Sequence, residues 1–247
     1  MKLSPQEKAA QKAAFRAMRP EKKLEHIWVY YKWPILLTLA ALFILGSALH
    51  RTLTQKQPVL YLAFANVVAG EDLQEELTLG FLRDAGEDPT RREVFLYPEL
   101  YLSDDAEIIN HEYAYASRMK TMGAIQAQKM DVVLMNREAY DAFSQQGYLS
   151  DLAALLEEEE PSLRQRALPC LTENDVILED NTIEWQLDEA QEHRVVTESV
   201  HNALVLDSLP LIEEAGMSDQ VFLGVIANSP RLPEALAYVN YILTAGS

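Results

Sequence analysis

The sequence predicts an α/β domain, a parallel sheet flanked by helices with a small β-rich insertion, preceded by one transmembrane helix. Three observations predict it. From Pro58 to Leu156, strand-like and helix-like apolar patterns alternate as βαβαβα, an order that implies parallel strands joined by right-handed crossovers. From Trp33 to Leu49 no side chain ionises, and a helix apolar on every face with an aromatic flank has the character of a membrane span. After Pro161 the pattern shifts to shorter strand-like runs.

On these patterns the chain divides into a basic cytoplasmic tail (1–26), a signal-anchor helix (27–50), a spacer (51–57) and an extracytoplasmic domain (58–247). As a helix, "WPILLTLAALFILGSAL" extends roughly 26 Å, a little under a ~30 Å hydrocarbon layer. Upstream, Trp28, Tyr30, Tyr31 and Trp33 form an interfacial belt, and Lys32 reaches the headgroups from within it. Eight basic side chains against three acidic ones occupy residues 1–34, while only Arg51 and Lys56 follow the span closely. That asymmetry keeps the amino terminus in the cytoplasm and places the body outside the cell membrane. A signal peptide cleaved near Ala48 is the rival reading. The tail itself either lies on anionic lipid or serves topology alone.

Each element of the body has its own signal. "PVLYLAFANV" (Pro58 to Val67) is a nearly continuous apolar run, as for a strand covered on both faces. Leu73, Leu77 and Phe81 recur at helical spacing and end near Ala85-Gly86. "REVFLYP" (Arg92 to Pro98) is a second strand stopped by proline. A helix from His111 to Gln128 follows, with Ala116, Met119, Met122 or Gly123, and Ile125 on one face. Met130 to Met135 is the third strand. Arg137 to Gln146 is a helix with Tyr140 and Phe143 inward, Gly147 at its left-handed C-cap and Leu149 folded back over the last turn. Ser150 is placed to cap the next turn, whose Leu152, Leu155 and Leu156 face the core.

Residues 157–205 form the insertion. "VILEDNTIEW" predicts a hairpin centred on Asp180-Asn181, which pairs Leu178 with Ile183 and Val176 with Trp185 on one face. His193 to Asp207 supplies one or two further strands, Leu209 to Ala215 a short helix, "QVFLGVIANS" a buried strand, and the closing helix starts from Asn228 or Ser229.

Charge and motif content exclude several functions. The net charge of −17 is unevenly placed: beyond residue 34, thirteen basic side chains face thirty-five acidic ones. Such a polyanionic body repels phosphate backbones, which argues against nucleic acid as a partner. One cysteine, Cys170, permits no internal disulfide and no cysteine-based zinc site. No P-loop, dinucleotide fingerprint or nucleophile elbow is present. The histidines (His26, His50, His111, His193, His201) lack metalloprotease spacing, although His193 and His201 could meet in space. Asp104, Asp105 and Glu107 do not follow a calcium-loop pattern. Nothing here predicts catalysis, a metal or a cofactor.

Two segments carry a resemblance. Asp131, Gly147, Leu149, Asp151 and Leu152, within "KMDVVLMNREAYDAFSQQGYLSDLAALL", resemble the strand, helix and turn of extracytoplasmic solute-binding proteins. "VFLGVIANSPRLPEALAYVNYIL", with its Asn228-Ser229 turn, is similar to that family's closing strand and helix. The two matches cover about 50 of the 190 or so body residues. The resemblance implies one periplasmic-binding-protein-like lobe with a reduced second lobe at 157–205, and hence a non-catalytic module that binds a small solute, with an ABC permease or another membrane protein as partner besides the bilayer. The alternative is an accessory subunit that has lost its ligand and docks on an envelope or membrane protein. In an open parallel sheet, ligands gather beyond the carboxyl ends of the strands, which nominates Asn66, Tyr97, Asn136 and Asn228, with Trp185 for stacking. The competing reading makes the asparagines helix caps, Tyr97 a packed strand end and Trp185 hairpin core.

Overall fold

The computed structural model describes residues 32–47, 55–103, 111–187, 192–214 and 220–245. Residues up to Gln55 and residues from Lys56 onward form two separate compact units.

In the first unit, residues 32–47 form helix α1. Its large apolar side chains are exposed, from Ile35 at 37% to Phe43 at 76%, and Thr38 returns its hydroxyl to the Pro34 carbonyl. Here the transmembrane expectation is corrected. Among the described residues no helix is long and apolar enough to cross a membrane. The rise of α1 amounts to about 24 Å, short of a ~30 Å hydrocarbon layer. Trp28, Tyr30 and Tyr31 lie outside the described residues, as does Ala48; Lys32 and Trp33 are exposed at the start of α1.

The second unit is built on six strands: β1 (Gln57–Ala65), β2 (Arg92–Leu100), β3 (Val132–Met135), β4 (Leu171–Asp180), β5 (Val195–Val205) and β6 (Phe222–Val225). They form one sheet in the order β2-β1-β3-β6-β5-β4. The expectation of a parallel sheet is also corrected. β1 runs parallel to β2 and β3, but β3–β6, β6–β5 and β5–β4 are antiparallel, so the sheet is mixed. A buried strand such as Phe222–Val225 is apolar at every position, and an unbroken apolar run does not encode direction.

Helices cover both faces. On one face lie α2 (residues 71–84, with a π-helical turn at Glu76–Gly80), α5 (Leu152–Glu157), α6 (Pro161–Ala167), α8 (Pro210–Glu214) and α9 (Leu232–Thr244). They enclose Leu60, Leu62, Phe64, Leu134 and Leu223. On the other face, α3 (His111–Gln126) and α4 (Arg137–Gln145) cover Ala63, Ala65, Val133, Met135 and Phe222. Each fully buried Leu or Phe contributes about 1.5–3 kcal/mol through removal from water. Gly224 is required by closeness: a Cβ there would lie 2.7 Å from Leu149 Cδ2 and 2.8 Å from Met135 Cε.

Polar residues tie the layers together. Asp131, fully buried at the start of β3, accepts hydrogen bonds from the Tyr61 amide (2.8 Å), the Ser229 hydroxyl (2.6 Å) and Arg231 Nε (2.8 Å). The Arg231 guanidinium also covers the Tyr61 ring at 4.7 Å. In a second chain, Tyr140 donates to Asn202 (2.8 Å), Asn202 to Ser144 (2.8 Å), and Ser144 to the Asp175 carbonyl (3.0 Å). In a third, Tyr238 and Tyr241 donate to the Leu77 and Glu76 carbonyls, within the π-helical turn of α2.

Several local expectations change for identifiable reasons. β2 continues through Pro98 to Leu100, because proline costs little on an edge strand. The inward face of α3 is Ser117, Thr121, Ala124 and Ile125, while Met119 is 48% exposed; small side chains let the helix sit close over Ala63 and Ala65. Asp151, rather than Ser150, caps α5 by accepting from the Ala154 amide. The hairpin across Asp180-Asn181 does not form. β4 pairs with β5, and Thr182–Leu187, holding Ile183 and Trp185, is a helical turn, α7. Asp180 accepts from the Thr182 amide (2.9 Å), and Asn181 exchanges bonds with Arg194 and Glu192, so these residues close a wider connection. Gly147 does take φ = +65°, and Leu149 is buried and bridges Ile226.

Candidate functional site

Because β1, β2 and β3 are parallel, their carboxyl ends share one edge of the sheet. Asn66 follows β1 there with φ = +56°, a left-handed conformation that asparagine tolerates better than most residues. Its side chain clasps the chain leaving β2: the Leu102 amide donates to Oδ1 at 2.8 Å, and Nδ2 donates to the Leu102 carbonyl. Nδ2 also lies 3.4 Å from Glu138 Oε2. Asn136 follows β3, donates its amide to the Ala65 carbonyl (3.3 Å) and caps α4 by accepting from the Ala139 amide (3.0 Å). The cap aims the first turn of α4, and with it Glu138, at the edge.

Between α3 and α4 a cavity of about 290 Å³ runs from this edge along α4 to Tyr148, whose carbonyl accepts from the Ala227 amide near the amino end of β3. Ser103, Arg118, Thr121, Glu138, Gln145 and Tyr148 are among its polar lining, and Leu102, Met122 and Phe143 among its apolar walls. Ser103 donates to Glu138 Oε1 at 2.6 Å, and Arg118 Nη2 lies 3.5 Å from the Ser103 carbonyl. Thr121, 3% exposed, returns its hydroxyl to the Ser117 carbonyl at 2.9 Å. Hydroxyls, amides, a guanidinium and a carboxylate around an apolar base suit a polar organic solute.

The nominated residues separate into three places. Asn66 and Asn136 stand together at the carboxyl edge, each engaged as a structural clasp or cap. Tyr97 lies on β2, half-buried, between Phe95 (ring centroids 5.0 Å apart) and Lys120 Nζ (5.3 Å from its ring); burial pushes its phenol above the ordinary value. Asn228 is at the opposite edge, because β6 runs against β3. It donates to the Ile125 carbonyl (2.8 Å) at the end of α3. Trp185, on α7, packs 4.9 Å from His193 and does not line the cavity. Sequence reasoning missed Ser103, Thr121, Glu138 and Gln145. The one available signal was position, since Ser103 and Glu138 follow the ends of β2 and β3.

Metal ligation finds no support among the described residues, where no group of three or more His, Cys, Asp or Glu could hold an ion. His193 contacts Thr182 and Trp185, whereas His201 lies 3.8 Å from Glu173. Eight positions of extended chain, about 26 Å, keep the two histidines apart. The Asp104, Asp105 and Glu107 candidates lie outside the described residues. Burial raises the Cys170 thiol above its ordinary range, which makes it a poor nucleophile. No protein-family model, curated protein or solved structure matches this chain.

Proposed function

We propose that the chain is a membrane-attached, non-catalytic binding module that holds a small polar solute in the carboxyl-edge cavity. The observation that carries the reading is that Ser103, Thr121, Glu138 and Gln145 line one cavity, with Ser103 and Glu138 at its mouth where the parallel strands β2 and β3 end. Ligands of open α/β sheets gather at such edges. The resemblance of the Lys129–Leu156 and Val221–Leu243 segments to solute-binding proteins points the same way, toward a module that hands its solute to, or senses it for, a membrane protein such as an ABC permease. Attachment is supported by α1, whose exposed apolar side chains would be shielded by lipid.

The test is a thermal-shift screen of the full chain in detergent against sugars, amino acids and short peptides. A true ligand at about 100 times its Kd stabilises the body by about 2.7 kcal/mol. The shift should saturate and vanish in Ala142→Trp, which fills the cavity from α4. A shift that persists in Ala142→Trp, or no shift across the library, refutes the reading. Carbonate extraction tests attachment. Protease accessibility in intact cells reports the side on which the body lies, the outer side being expected from the basic residues ahead of α1.

A further inference from the structure

On the face of the sheet that carries α3, three aromatic rings stand in a row. Tyr61 of β1 pairs with Phe95 of β2 in register, their ring centroids 5.5 Å apart, and the Tyr97 ring lies 5.0 Å from Phe95 on its other side. A cation stands at each end of the row: the Arg231 guanidinium 4.7 Å from the Tyr61 ring, and Lys120 Nζ, from α3, 5.3 Å from the Tyr97 ring. Phe95, in the middle, is 41% exposed, and β2 is an edge strand with no neighbour beyond it. The unspent polar groups along the row are all donors. Among the described residues the Tyr61 and Tyr97 hydroxyls have no acceptor, and Lys120 has no carboxylate partner. Burial raises the Tyr97 phenol, and the Tyr61 phenol and the Asp131 carboxylate add to the rise, so these groups stand within electrostatic reach of one another. Asp131 spends its oxygens elsewhere: Oδ1 accepts from Ser229, and Oδ2 accepts from the Tyr61 amide and Arg231.

We infer that the row of Tyr61, Phe95 and Tyr97 binds a planar aromatic carboxylate, its ring against Phe95 and its carboxylate toward Tyr97 and Lys120. A ring set offset or edge-on to Phe95 continues the packing that its two neighbours already make. Donors without acceptors call for a ligand that brings acceptors, and a carboxylate accepts from an ammonium and from phenols at once. A cationic ligand is disfavoured, because Lys120 and Arg231 already lie against the two end rings and would repel it. Of these two cations Lys120 decides the binding, since Arg231 is paired with Asp131 at 2.8 Å. Glu93 sets the direction. It precedes Phe95 by two residues and shares its face, so it repels a carboxylate at the end of the row away from Tyr97. The site shares no residue with the lining of the α3–α4 cavity and does not depend on that cavity being occupied.

The probe is 6-fluoro-2-naphthoate, titrated against the full chain in detergent and followed by fluorine NMR line broadening over a micelle-only blank. Saturable broadening is expected, and the uncharged 6-fluoro-2-naphthamide should bind about fivefold more weakly. Phe95→Ala should weaken the acid about tenfold. Lys120 is exposed on α3, and Lys120→Gln should erase the preference for acid over amide while leaving the amide bound as before, which a loss of folding would not do. Ala142→Trp, which fills the α3–α4 cavity, should leave binding of the acid unchanged. Absence of saturation, equal affinity for acid and amide, full binding in Phe95→Ala, or tighter binding of 2-naphthylmethylammonium would each overturn the inference. Loss of binding in Ala142→Trp would overturn it too, by placing the acid in the cavity. Naphthoate binding that survives Ala142→Trp, beside a solute screen that finds no cavity ligand, would support this site and refute the cavity reading alone.

Discussion

Substitution of Asp131 tests the tie between the two halves of the sheet most directly. Its carboxylate is fully buried and accepts from Tyr61, Ser229 and Arg231 at 2.8, 2.6 and 2.8 Å. Asp131→Ala leaves the Tyr61 amide and the Ser229 hydroxyl unsatisfied and strands the Arg231 guanidinium, whose side chain is only 24% exposed. Removing one partner of a buried ion pair costs about 3–5 kcal/mol. For a body of this size that lowers Tm by roughly 6–20 °C. Asp131→Asn keeps the volume and one acceptor oxygen, so about 1.5–3 kcal/mol is expected for loss of the charge-assisted bond. Arg231 should couple to it: in the cycle of Asp131→Asn, Arg231→Gln and the double variant, the double loses less than the sum of the singles by at least about 1 kcal/mol. Urea unfolding followed by circular dichroism measures all four proteins. A loss below 1 kcal/mol for Asp131→Ala, or additive singles, would refute the assignment of Asp131 as the tie.

Three further outcomes are expected. Asn202→Ala strips the Tyr140 hydroxyl of its acceptor inside the core and should cost about 2–3 kcal/mol in the same unfolding assay. Gly147→Ala has room, with Val176 Cγ1 at 3.6 Å from the new Cβ, so the loss of about 1–2 kcal/mol reflects the left-handed backbone alone; Gly147→Asn should lose less. Burial raises the phenols of Tyr140, Tyr238 and Tyr241. Above about pH 10 the unfolded chain therefore gives up protons that the folded chain keeps, and stability, full below that pH, falls as pH rises further; Tyr140→Phe should flatten the decline seen in alkaline unfolding curves.

The sequence made the first half of the sheet legible and left the second half open. β1, β2 and β3 alternate with helices, and helical crossovers of that length return the chain to the same end of the sheet, which gives parallel pairing. β6 has neither cue: Phe222–Val225 is buried at every position, and its direction is decided by β5, with which it pairs through Leu204 and Val205. That reversal sent Asn228 to the far edge. Trp185 was misplaced because Asp-Asn reads as a tight turn, whereas Asn181 uses its side chain to bond across to Arg194 and widen the connection. The cavity was not legible, since Thr121 and Gln145 come from helices whose inward residues follow no ligand-binding spacing. The inward stripe of α3 begins with Ser117 and Thr121, which a hydrophobic-periodicity reading passes over.

The pairing of β3 with β6 also has a consequence for synthesis. Val132 meets Val225 and Met135 meets Phe222, so one flank of the central strand has no neighbour until the last tenth of the chain has been made. The preceding unit of β1, β2 and β3 can assemble from local contacts while the ribosome is still at work, yet it then carries an open, wholly apolar rim. Chains halted before Phe222 should for that reason be sticky and quickly degraded, however complete their first half.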